Sequence, residues 1–386
     1  MTGISATQPL AVHVESALAR VRAVADAAGV DGVVLTAPGP VAWVTGGMNT
    51  PIDRCAPVDV VWLAVGPDRA CVVTTNVEEP RLRAEAGLSE LGLDLRSVPW
   101  WSPVSMVLAA ADALGSTPRA LGGDGHPGFG TDLGQALTIA RLALDGWERD
   151  RLRVLGRDAA AAVESALRAW RPGGTDRSVA GAIAAGVEES GAHSAVLLVG
   201  GDDRLRRFRH PVAVGQPIND VVMAVLVAAR GGQHVALTRY AATPAGAESV
   251  ADGLAAVRRV HRRVLAASSN GATVGAAMTE LVRAYADEGA GQAWQGHYQG
   301  GPIGYAQREF EIAPTDGEST WWQTVLPQGA ALAWNPSLPG GAKDEDTYLL
   351  SGCAAEAVTA TSDWPQADAL VPARPAVLVT GPGQGH

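Results

Sequence analysis

Lysine is almost missing from this chain: of 30 basic residues one, Lys343, is lysine, which leaves 29 arginines. Chemistry that needs an amine side chain, such as Schiff-base formation, therefore has a single candidate. Cysteine is scarce too. Cys55, Cys71 and Cys353 are too few and too scattered for a disulfide framework or a thiolate zinc site, and are expected to be small core residues. No stretch approaches the roughly 20 apolar residues that span a bilayer. The first residues, "MTGISATQPLAVHVESALAR", lack a basic start followed by an apolar run, so a cytoplasmic protein with no membrane partner is expected. Excess positive charge is also lacking. A net charge of −10 argues against nucleic acid, which needs clustered Lys and Arg on a basic face, and leaves small molecules or short peptides as expected ligands. There is no Gly-x-x-x-x-Gly-Lys loop and no Gly-x-Ser-x-Gly elbow, and "GDGHPGFG" lacks the context of a dinucleotide site.

What is present suits two domains. An apolar content of 47% over 386 residues can bury a large core, at roughly 150 residues per domain. Residues 13 to 29 have helical spacing ended by Gly29, "DGVVLTA" and "PVAWVTGG" read as short strands, and "VDVVWLAVG" with "RACVVTTNV" reads as a hairpin. A helix near 79–86, a strand at "LRSVPWW" and a helix near 103–114 follow, which together imply an α/β domain. From Thr131 to Trp170 the pattern is helical, and the domain joint is placed inside it, between Asp145 and Arg151. Beyond it come a helix at 177–190, strands at "SAVLLVGG", "VVMAVLVAAR" and "HVALTRY", helices at 247–268 and 273–288, and strands at "ALAWNPSL" and "TYLLSG". The expected domains are residues 1–148, residues 149–371, and a Pro- and Gly-rich tail over 372–386 that holds at most one edge strand.

Several stretches, read together, resemble the superfamily of methionine aminopeptidase, aminopeptidase P, prolidase and creatinase, whose shared architecture is the pita-bread fold. "VLTAPGPVAWVTGG", with Trp43 as its aromatic, resembles an N-terminal segment of that family. "FRHP" with His210 resembles the histidine before the first catalytic strand, and "NDVVMAVLVAARGGQHVALTR" resembles the strand pair carrying two aspartates. "HYQGGPIGY" resembles the family's glycine turn, "LAWNPSL" its strand ending Glu-Pro, and "KDEDTYLL" its last ligand strand. The resemblance covers the whole chain. It implies an α/β (α+β) protein of two domains, a creatinase-like N-terminal α/β domain and a C-terminal pita-bread domain.

The resemblance also implies two divalent metals held by two Asp, one His and two Glu. Here the two Asp positions, eleven residues apart, fall on Val225 and Ala236, the His on Gly301 and the first Glu on Asn335, and only Glu345 matches. One carboxylate and one amide do not neutralise two dications, so no metal and no other cofactor is expected. Creatinase supplies a metal-free precedent in which a histidine at the position of His210 transfers protons. The leading expectation is a metal-independent hydrolase of a C–N bond in a small amide, amidine or amino-acid derivative, with His210 as general acid/base. A lyase or isomerase using the same histidine, and a non-catalytic binding or scaffold protein, are the alternatives.

Other candidates surround His210. His297, the outer histidine of the glycine turn, is assigned an oxyanion contact or a local hydrogen bond. Glu345 either orients water or substrate, or pairs with Lys343 or Arg239. Asn335 can both donate to and accept from a substrate. Arg239, with Arg230, is expected to be left undercompensated by the missing ligands and to favour an anionic or neutral substrate. His234 lies two residues from Ala236 and so shares its face if extended. Glu309 and Glu311 likewise share a face if extended, with Arg308 and Phe310 opposite, and form either a site pair or an exposed ion-pair edge. Tyr305 and Trp334, with Trp321 and Trp322, line an apolar pocket or the core. The resemblance further implies a homodimer in which Arg54 of the N-terminal domain reaches the partner's site.

Overall fold

The first predicted helix runs from Leu10 to Ala28, and Gly29 closes it at φ +66°, the left-handed conformation that favours glycine. The computed structural model of the protein describes residues 9–102, 104–352, 354–367 and 372–380. These fall into two compact units. One reaches Glu148 and takes in Gly231–Gln233; the other holds Arg149–Arg230 and the chain from His234 onward.

The N-terminal unit is built on six strands, Val33–Leu35 (β1), Trp62–Val65 (β2), Ala70–Thr75 (β3), Asp94–Val98 (β4), Gly122–Gly123 (β5) and Thr131–Asp132 (β6). Their order is β4-β3-β2-β1-β5-β6, with β2 and β3 forming the expected hairpin. Val34, Trp62, Ala64, Cys71 and Val73 pack against Met106, Ala109 and Ala110 of the helix Val104–Ala113. Three expectations are corrected here. "PVAWV" is a helix, Pro38–Val44, in which Pro38 presets the first φ; its residues Pro40–Val44 are all buried, and a short apolar run carries no period to tell helix from strand. Cys55 is exposed rather than core, whereas Cys71 is buried, and Cys353 lies outside the described residues. The helical stretch from Thr131 is two helices, Gly134–Arg141 and Gly146–Ala169. Between them Asp145 and Glu148 cap each other: the Asp145 N–H donates to Glu148 Oε2 at 2.7 Å and the Glu148 N–H to Asp145 Oδ1 at 3.0 Å.

The C-terminal unit holds two four-stranded sheets. Strands His193–Gly201 (β7), Val221–Arg230 (β8) and Gln233–Ala242 (β9) join Leu378–Val379 in the order β16-β9-β8-β7. The other sheet has Gly300–Ile303 (β10), Ala331–Trp334 (β11), Tyr348–Ser351 (β14) and Ala354–Ala357 (β15), ordered β10-β11-β14-β15. A two-stranded ribbon joins Ser337–Leu338 (β12) to Ala342–Lys343 (β13), and Leu378–Val379 is β16. Helices Asp176–Glu189, Pro244–Ala267 and Val274–Asp287 each start at a threonine, Thr175, Thr243 and Thr273, whose side chain accepts a backbone N–H of the first turn. Residues 372–380, set apart by composition as tail, are built into this unit. β16 pairs in parallel with β9, and Arg374 is buried against Asp344 and His261. No helix among the described residues is long and apolar enough to cross a membrane.

Candidate functional site

Strand alternation lays a floor in the C-terminal unit. β7 and β8 are antiparallel with Val196 opposite Val227 and Leu198 opposite Val225. These four side chains, with Ala236 of β9 and Ala333 of β11, line a cavity of roughly 460 Å³. Its polar wall is His210, Gln307, Arg308, Glu311, Asn335, Lys343 and Glu345, with Tyr298 at the edge. Four of the five positions that the resemblance assigns to metal ligands are present: Val225, Ala236, Asn335 and Glu345.

His210 is exposed on one side, and its Nε2 lies 3.2 Å from Nε2 of His297. Burial first, then the charges of Lys343 and Arg308, hold it below the ordinary histidine value of 6.5, against Glu345. It is therefore a neutral base near pH 7. His297 is buried, and that burial, aided by Lys343 and His210, pushes its imidazole down to about 2. The turn that carries His297 is fixed by Gln299. The Gln299 side-chain amide donates to the His297 carbonyl at 2.6 Å and to that of Trp294 at 2.9 Å, and the Gln299 backbone carbonyl accepts from the Asn335 N–H at 3.0 Å.

Lys343 and Glu345, two residues apart in extended chain, both face the cavity and are buried. Lys343 Nζ and Glu345 Oε2 are 3.5 Å apart, and that oxygen also accepts from Thr238 Oγ1 at 2.9 Å. Burial lowers the Lys343 ammonium below the usual lysine value, with Glu345 opposing and Arg308 adding to the effect. Arg308 pairs with Glu311 and lies over the Tyr298 ring at 5.3 Å. Asn335 is buried, and its Oδ1 has no hydrogen-bond partner.

Several sequence candidates do not line the cavity. Arg239 is buried elsewhere, giving Nη2 to Asp346 Oδ1 at 2.9 Å and to the Thr359 carbonyl at 2.7 Å, with Glu164 at 3.5 Å; it is compensated, as is Arg230, which donates to Asp158 at 2.7 Å. His234 is the second residue of β9, with its imidazole Nδ1 3.3 Å from the Gly304 carbonyl. Glu309 turns back on its own loop, accepting the Tyr305 N–H at 2.7 Å, and the Tyr305 side chain is buried away from the lining. The 306–311 segment is irregular rather than extended, so Arg308 and Glu311 reach the cavity together while Glu309 does not. Trp334 donates its indole N–H to Ser268 Oγ at 2.9 Å in the core. Trp321 stacks on Phe310 at 4.4 Å. Arg54, expected to reach a partner's site, sits on an exposed turn of the N-terminal unit. Sequence reasoning missed Arg308, Gln299 and Gln307. The run "REFE" with its basic residue three before Glu311 was the available signal for Arg308.

The residues do not fit a dinuclear metal centre. Val225 and Ala236 offer no donor, and Glu345 already holds Lys343 and Thr238. Gly300 and Gly301 take φ values of +77° and +135°; a Cβ on Gly300 would lie 2.1 Å from the Ala333 carbonyl oxygen, and one on Gly301 would face the Trp334 ring at 3.6 Å. Among the described residues, the one close group of three metal-capable side chains is His13, Asp145 and Glu148 in the N-terminal unit. There His13 Nδ1 meets Asp145 Oδ2 at 2.8 Å and Nε2 meets the Trp43 carbonyl at 2.7 Å. Although burial opposes it, the Asp145 hydrogen bond raises the His13 value, which marks a buried ion pair beside a helix cap.

No known family matches the sequence, and no curated protein does. Solved structures do match in fold. A dipeptidase from Mycobacterium ulcerans superposes at TM-score 0.72 with 20% identity, covering 96% of this chain and 98% of its own. The prolidase from Pyrococcus horikoshii gives 0.72 with 16% identity over 90% and 98%. The N-terminal domain of a FACT complex subunit from chickpea gives 0.62 with 10% identity over 91% and 96%. The fold is thus the pita-bread arrangement of two domains that the sequence resemblance implies, and at these identities it is the fold that is shared.

Proposed function

We propose that the cavity is a metal-independent hydrolytic site for a C–N bond in a small amide, amidine or amino-acid derivative, with His210 as general acid/base. The observation that carries this is the placement of His210, a neutral imidazole at the cavity with its Nε2 seated on His297 and a floor without metal donors beneath it. In this reading His210 takes a proton from an attacking water and returns it to the leaving nitrogen. His297 holds the ring in place and stays neutral itself. The bare Asn335 Oδ1 accepts an N–H of the substrate, which favours an amide or amine at the cleaved bond. Glu345 helps to position that group, while the paired charges Lys343–Glu345 and Arg308–Glu311 leave the cavity near neutrality. A small molecule or short peptide fits the volume. The reading includes a homodimer in the cytoplasm, checked by light scattering of the purified chain and by cell fractionation.

Two structural neighbours are a dipeptidase and a prolidase, which supports hydrolysis of a C–N bond. A lyase or isomerase would use the same proton-transfer group. The second reading is a non-catalytic binding protein, supported by the chickpea complex subunit that shares the fold. A metabolite panel assayed with wild type and His210→Ala separates them. Turnover that falls by roughly 10²- to 10⁴-fold in the variant supports His210 as the base, and turnover untouched by the substitution removes it.

A further inference from the structure

Arginine supplies every positive side chain of this protein except one, and the exception faces the cavity. A guanidinium would serve an ion pair with Glu345 better, because it is planar, permanently charged and carries more donors. What a lysine adds is an amine that can lose its proton and attack. Lys343 stands among Val225, Val227, Ala236 and Ala333, where an ammonium is poorly solvated, and its ion pair with Glu345 is long at 3.5 Å. We propose that Lys343 is a nucleophile that captures a small aldehyde or ketone with an apolar tail as an imine. The tail lies on the aliphatic floor. The carbonyl is uncharged in a cavity whose own charges are already matched, and the volume admits a small ligand.

The step balances within the Lys343–Glu345 pair. Glu345 takes one proton from the Lys343 ammonium, and the freed Nζ lone pair forms a bond to the carbonyl carbon as the C=O π pair moves to oxygen. A second proton passes from nitrogen to that oxygen, giving a neutral carbinolamine. Glu345 then returns its proton to the hydroxyl, the C–O bond breaks, and water leaves with both protons. The product is a protonated imine beside a carboxylate, the same charges as at the start, with no oxidant or reductant involved.

The test uses the whole wild-type protein, hexanal and sodium cyanoborohydride, which reduces the imine to a stable amine, read by intact mass and peptide mapping. The chain offers two amines, the N-terminus and Lys343. The expected result is an adduct on Lys343 that forms about tenfold faster than on Nα-acetyl-lysine amide in the same tube, and that loses this advantage in denaturant. Lys343→Arg, confirmed as folded by circular dichroism, should keep only the N-terminal adduct. Label confined to the N-terminus, or Lys343 labelled no faster than the free amine, overturns the proposal. The adduct is read by mass and not by turnover, so its failure and the failure of the hydrolase reading are distinguishable.

Discussion

His210 and His297 meet through their Nε2 atoms at 3.2 Å, so two imidazoles share one hydrogen bond and one of them must accept it. A proton on both facing nitrogens would break that contact. Protonating His210 therefore forces its neighbour to stay neutral, which its burial already favours. In nitrogen-detected NMR the His210 ring should titrate below 6.5, the ordinary value. Arg308→Gln removes one of the charges that hold it down, so the midpoint should move up towards that value. A midpoint unchanged or lower in the variant contradicts the electrostatic account.

Folding stability should fall with acid because of His297. Its value is near 2 in the folded protein and near 6.5 in the unfolded chain, so below 6.5 the unfolded state binds the extra proton. The stability is fully present above 6.5 and is lost progressively as the pH falls towards 2. Urea unfolding between about pH 4 and pH 8 should show this slope in wild type and a shallower one in His297→Gln.

Asp344 and Arg374 form a buried pair next to the cavity lysine, joined by His261. Despite burial, the Arg374 guanidinium holds the Asp344 carboxyl far below the usual carboxylate range. Arg374→Ala strands that charge and should lower stability by roughly 3–5 kcal/mol. Chemical denaturation measures it, and a loss under about 1 kcal/mol means water has replaced the guanidinium.

Chelation should leave the protein unaffected. Dialysis against EDTA is expected to change neither the melting temperature nor any turnover found, and elemental analysis of the purified chain should find less than one equivalent of transition metal. Two tightly held dications at the cavity would contradict the donor set.

Gly301→Ala should destabilise the fold by about 1–3 kcal/mol, because a φ of +135° is rarely adopted by an L residue. Its new methyl meets the Trp334 ring at ordinary distance, so any loss reports backbone conformation rather than crowding.

The sequence made the convergence of Val225, Ala236, Asn335 and Glu345 legible, because their order follows a known strand arrangement and all four line one cavity. Strand parity explains most of what it missed. Arg239 is three residues from Ala236 and Trp334 is one from Asn335, odd steps that place them on opposite faces of extended chain. Ala333 and Asn335 line the cavity together, which leaves the Trp334 indole for the core. The parity used to group His234 with Ala236 would have excluded both. Glu309 and Glu311 failed differently: parity was applied to a segment that is not a strand, and no local signal fixes side-chain direction in an irregular loop. The Lys343–Glu345 pair was legible because both residues fall on one extended stretch where a lone acid needed a base.

Gly301 also bears on engineering. A side chain installed there would start out towards Trp334, so placing a histidine in the turn does not by itself bring an imidazole to the cavity. A design that adds a donor here would have to re-form the β10 backbone beside Ala333 as well. The main chain of the turn, and not only the choice of side chain, decides what position 301 can offer.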